Sequence, residues 1–175
     1  MTEEDIKQLM AEYRDNVRAL FDSKSSDFAR NSSCRHAAIL IEEMILHAKR
    51  SFVAFAGRMN PEVWNAAVMA ALLDAVNRGV SIKLLVEKEC VPIVNGSMPE
   101  PIRRFVRRLT SQTCENITGL SDSHCASGDG ESLRIELNQA QKSAVFSANN
   151  PDVASKIVRV VEGLYGIGVT YGTAA

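Results

Sequence analysis

Paired cysteines are missing from this chain. Cys34, Cys90, Cys114 and Cys125 are scattered, with no CxxC spacing between any two. Neither His124 beside Cys125 nor Cys34-x-His36 supplies the close pairs of a zinc site, so no metal is expected. Idle thiols suit a reducing cytoplasm. Long apolar runs are missing too: none reaches membrane-spanning length, and the opening MTEEDIKQLM is acidic and amphipathic, unlike a signal peptide. A membrane partner is therefore not expected. An excess of either charge is absent, with a net charge of −1, so bulk attraction to polyanions is excluded and any nucleic-acid contact must come from a local patch. Internal repeats and low-complexity tracts are also lacking, and no cofactor is expected.

What remains is an ordinary globular composition, 46% hydrophobic and 23% charged, over 175 residues. That length carries one domain with a true core. Residues 3–21 read as an amphipathic helix through Ile6, Leu9, Met10, Tyr13, Val17, Leu20 and Phe21, with Thr2 and Asp5 as its cap. The polar DSKSSDFARNSS follows. The expected organisation is an N-terminal helix over 1–25, a linker over 26–34 and an α/β domain over 35–175. The N-terminal helix is docked either on its own domain or on a second copy of the chain.

The next block predicts helix, strand, helix, strand: CRHAAILIEEMILHAKR, then SFVAFAG, then NPEVWNAAVMAALLDAVNRG with Asn60 as cap and Pro61 in the first turn, then VSIKLLVE. Two parallel strands bridged by an apolar helix form a right-handed βαβ unit. Trp64 falls on that helix as a core residue. PEPIRRFVRRLTSQ reads as a further helix, with Ile102, Phe105, Val106 and Leu109 on one side and Arg103, Arg104, Arg107 and Arg108 on the other. Asp129-Gly130 marks a hairpin between two strands, the second being SLRIEL. SAVFSAN is a further strand, NPDVASKIVRVVEGLYG a capped helix, and IGVTYGTAA an edge segment or a frayed tail.

The order HAKRSFVAFAG, then AVNRGVSIKLLVE, then HCASGDGESLRIELNQAQKSAVFSANNPDVASKIVRVVEGLY resembles a phospholipase-D-like domain over roughly residues 35–166. The resemblance implies an α/β fold, a mixed sheet flanked by helices, here with an extra N-terminal helix. Active members carry His-x-Lys-x4-Asp. Their histidine takes the phosphoryl group, their lysine binds phosphate oxygens, and their aspartate supports the fold and the site. Here His124 stands at the histidine position, Ala126 at the lysine and Glu131 at the aspartate, with Asp129 nearby out of register. Losing the cation removes stabilisation of about 3 kcal/mol from a highly charged transition state.

The leading reading is a catalytically degenerate domain that binds a phosphate-bearing partner, nucleic acid among the candidates, or a protein, as a homodimer. The first alternative is a dimeric phosphodiesterase or nuclease using His124 from each subunit, with the second histidine as general acid. The second is a protein-interaction or regulatory module that uses the N-terminal helix. Loops after parallel strands hold ligands in open α/β sheets, which puts Arg58, Asn60 and Lys88 near His124 as candidate phosphate ligands. Arg103, Arg104, Arg107 and Arg108 are candidates because a guanidinium fork suits oxyanions, against the plainer reading of a wet helix face. Arg134 and Glu136 lie two apart on a strand, so they share a face and form either a ligand site or a structural ion pair.

Overall fold

The computed structural model describes residues 2–31, 33–87, 96, 98–109, 124–138 and 143–170. In chain order the elements are α1 (Glu3–Asp22), β1 (Ala29–Asn31), α2 (Cys34–His47), β2 (Ser51–Phe55), α3 (Ala66–Asn77), β3 (Ser81–Val86), α4 (Glu100–Arg103), β4 (Val106–Arg108), β5 (Cys125–Gly128), β6 (Ser132–Asn138), β7 (Ser143–Ser147), α5 (Pro151–Ile167) and β8 (Val169–Thr170). Among the described residues the strands form one eight-stranded sheet in the order β1-β7-β6-β5-β2-β3-β4-β8.

β2 and β3 pair in parallel, Ser51 to Ser81 through Phe55 to Leu85, with α3 as the crossover. The apolar runs that predicted this unit are buried along most of both strands, as parallel strands covered on two faces require. β5 then joins β2 antiparallel, so the sheet is mixed. One face carries Phe52, Ala54, Ala56, Ala126 and Phe146 into a core shared with α1, α2 and α3. The other carries Val53, Phe55, Leu85 and Leu133 onto Ala154, Ile157 and Val161 of α5.

α1 docks on its own domain. Val17 is buried in the main core, Phe21 packs against His47 and Phe146, and Arg14 and Arg18 hold the buried Glu43. The stretch 26–34, read as a linker, contains a strand: Ala29–Asn31 pairs antiparallel with β7 and forms one edge of the sheet. Its polar composition is that of an edge strand, which needs little apolar content.

Two expectations about helices are corrected. The crossover helix begins at Ala66 rather than at Pro61, because Asn65 Oδ1 accepts hydrogen bonds from both Ala67 N and Val68 N and so caps the helix there. Asn60 instead closes a turn, accepting from Glu62 N. The helix expected from PEPIRRFVRRLTSQ lasts only Glu100–Arg103. β4 follows at once, its Val106 buried and paired with Leu84 of β3. Exposed β3 backbone groups needed partners, and that demand outweighed a short helical pattern.

Candidate functional site

The sheet brings His124, Ala126, Arg134 and Glu136 onto one face. Ala126 of β5 lies between Ala54 of β2 and Arg134 of β6, and Phe146 of β7 completes that row. One step along β5, Glu136 N donates to His124 O, which places Glu136 across from His124. His124 Nδ1 and Glu136 Oε2 are 2.9 Å apart. The pair fixes the ring and turns Nε2 away from the carboxylate. That nitrogen lies over Gly57, at the C-terminal end of β2, and any Cβ added at Gly57 would collide with the imidazole. Gly57 also has φ +53, so glycine is required there by both space and backbone.

Arg134 is only 5% exposed, and its Nε has no hydrogen-bond partner among the described residues. Its long side chain has room on one side of its row, where Ala126 beside it and Ala54 beyond are small. Arg134, His124, Cys125, Ala126 and Trp64 are among the residues lining a cavity of about 20 Å³. Burial lowers the Arg134 pKa, against the pull of Glu136 and other neighbours. Burial alone would raise the Glu136 carboxyl, but the His124 hydrogen bond and the Arg134 charge prevail and lower it. Burial pushes the Cys125 thiol up to about 11, so it stays protonated and is a poor nucleophile.

The other described candidates have contacts of their own. Arg58 was expected to lend charge to the His124 pocket; its side chain is 71% exposed and pairs with Glu87 at 3.5 Å. Asn60 donates to Cys34 Sγ. Lys88 lies outside the described residues, as do Cys90 and Cys114. The four arginines do not share a helix face. Arg103 closes on Met98 O and Glu100, and Arg104 covers the Phe105 ring. Arg107 donates to Tyr165 O while stacking over the Tyr165 ring, and Arg108, next on β4, alternates to the other face. Among the described residues no cluster of His, Cys, Asp or Glu is placed to hold a metal ion. No helix among them is long and apolar enough to cross a membrane.

Sequence reasoning named Asp129 as a hairpin residue and missed its anchoring role. It sits in the β5–β6 turn at φ +56, followed by Gly130 at φ +70. Its carboxylate accepts from Lys49 N (2.9 Å), Arg50 N (2.7 Å) and Ser51 N (2.8 Å), tying the hairpin to the turn between α2 and β2. Glu131, the residue at the aspartate position of the pattern, pairs with exposed Arg50 instead. The signal for Asp129 was present as a turn residue, but its partners lie far away in sequence.

Solved structures share this fold. Nuc from Salmonella typhimurium, a phospholipase D family member, superposes with a TM-score of 0.55 at 18% identity, over 83% of this chain and 99% of its own. The fold is phospholipase-D-like. NucT from Helicobacter pylori matches with a TM-score of 0.53 at 13% identity, over 83% of this chain and 100% of that one. TrmBL2, an archaeal chromatin protein with a novel mode of DNA binding, matches with a TM-score of 0.66 at 15% identity and covers 95% of this chain. This chain spans 63% of the TrmBL2 chain. No protein-family model and no curated protein sequence matches.

Proposed function

We propose that this phospholipase-D-like domain binds a phosphate-bearing partner, with nucleic acid the favoured class, and does not cleave it. The observation that carries this reading is the pairing of a well-held His124 with a buried alanine, Ala126, where an active site would present a cation. A phosphoryl-transfer site without that charge loses about a hundredfold in rate or more, while its affinity for an anion needs only some cation within reach. The DNA-binding chromatin protein of similar fold supports nucleic acid as the partner class.

The test is retention of a duplex and of a single-stranded oligonucleotide at low salt. Binding should fall steeply as salt rises, and substituting Arg104 and Arg108 together should lower the slope by about one for each phosphate they would otherwise neutralise. An activated phosphodiester should remain intact over the same period. Lack of retention at low salt overturns the reading.

A second reading keeps support from the His124–Glu136 pair. A carboxylate on Nδ1 orients the imidazole and leaves Nε2 as a nucleophile, the arrangement a phosphoryl-histidine intermediate needs. Such an enzyme requires a general acid, which a two-fold related copy of the chain supplies as its own His124. Diester cleavage that survives chelation and disappears in His124→Ala, in a chain that sediments as a dimer, would establish it.

A further inference from the structure

The buried guanidinium beside the alanine has a donor, Nε, without a partner among the described residues. We propose that Arg134 is the anion-binding residue of this domain: it receives one oxygen of a phosphoryl group entering past His124 and holds it from β6, off the β5 position from which the lysine of the His-x-Lys-x4-Asp pattern would act on the transition state. The proposal rests on the phosphate-bearing partner argued above and names the side chain that reads it.

The sheet register supplies the first argument. Arg134 lies directly across from Ala126. Side chains so placed have Cβ atoms about 5 Å apart, near enough for Arg134 to hold an anion beside the alanine without occupying the lysine's position. The same proximity explains the alanine, since two buried cations side by side would repel. Hydrogen bonding supplies the second. A buried donor without a partner costs stability, and natural interiors retain few of them. Arg134 Nε is such a donor on a side chain that is 5% exposed.

Space supplies the third argument. The cavity that Arg134 shares with His124 is about 20 Å³, room for roughly one water-sized group. One phosphoryl oxygen fits there, with the phosphorus held outside at the His124 ring. Burial weakens Arg134's hold on its proton, and an oxyanion against it would reverse that effect. A terminal phosphate and the non-bridging oxygen of an internal phosphodiester share this chemistry.

Trp64, the chain's single tryptophan, lines the same cavity, so its fluorescence reports on occupancy. The experiment titrates the full chain with inorganic phosphate, a nucleoside 5′-monophosphate and an unphosphorylated dinucleotide, against chloride at equal ionic strength. Trp64 emission and thermal stability are read together. The expected result is a saturable emission change and a raised Tm with phosphate or with either ester, the two esters separating terminal from internal phosphate. Arg134→Met should fold with a Tm equal to or above the parent's and bind about tenfold or more weakly. Moving the charge back, in Arg134→Met with Ala126→Lys, should restore binding.

The assignment is overturned if no phosphate species affects the parent, if Arg134→Met binds as well as the parent, or if its Tm falls. Should the double variant fail to fold, the single variant decides. Oligonucleotide retention unaffected by Arg134→Met would sink this assignment and leave the proposed function standing. An Arg134-dependent phosphate response without oligonucleotide retention would do the reverse.

Discussion

The two ends of β5 treat their polar side chains differently. Past its C-terminal end, Asp129 accepts three backbone N–H bonds from the turn between α2 and β2, and the hairpin backbone adds Asp129 N to Ser51 O at 2.8 Å. At the N-terminal end, His124 is held by Glu136, and among the described residues Arg134 Nε has no partner, nor do the buried Tyr13 Oη and His36 Nε2 on the α1–α2 side. Asp129 commits its carboxylate to the fold, while Ser127 Oγ at the same end of β5 is buried without a partner among the described residues. The N-terminal end keeps more in reserve, at a cost in stability, as binding sites do.

That contrast is broken most directly at Asp129. Asp129→Ala should remove about 3 kcal/mol of stability, read by urea unfolding, because charge-assisted bonds that anchor a distant turn are lost. The Trp64 response to phosphate should persist in the protein that remains folded. A loss below about 1 kcal/mol would show the clamp to be decorative.

A smaller effect on stability, and a larger one on the site, is expected at Gly57. Gly57→Ala forces a Cβ onto the His124 imidazole and an L residue into positive φ. The expected cost is about 1–2 kcal/mol by thermal unfolding, together with loss of the phosphate response as the ring is displaced. Retention of the response would show that His124 does not form the mouth of the cavity.

The smallest effect at neutral pH belongs to Tyr13→Phe. Burial pushes the Tyr13 hydroxyl up to about 12 from an ordinary 10.0. The unfolded chain therefore releases this proton first, and stability falls as pH rises from about 10 toward 12. Phenylalanine removes that alkaline limb and should leave stability at pH 7 unchanged or raised, since Tyr13 Oη has no partner among the described residues to lose. Melting curves between pH 7 and 11 check both halves. An unaltered alkaline limb in the variant would show the hydroxyl to be solvated.

Much of the fold was legible because local signals and burial agreed. Ser51–Phe55 and Ser81–Val86 are strands whose apolar runs match a position covered on both faces, and Asp129-Gly130 turns the chain where its residues accept positive φ. The failures came where a distant partner decided. Val106–Arg108 is a strand because β3 had backbone groups to satisfy, although four arginines beside spaced apolar residues spell a helix. Ala29–Asn31 is a strand because β7 offered an edge.

The candidate site divides the same way. His124, Arg134 and Glu136 could be named from sequence, since alternation along a strand puts Arg134 and Glu136 on one face. Alternation says nothing about which strand lies alongside. Only the β5–β6 register set Arg134 against Ala126 and Glu136 against His124, and only the packing of α1, α2 and α3 over that face made the guanidinium a buried one. The sequence by itself determined the elements whose hydrogen bonds and apolar faces are settled within a few residues or one crossover. The charge of the site was decided by tertiary structure, because electrostatic strength depends on burial and on neighbours brought from elsewhere in the chain.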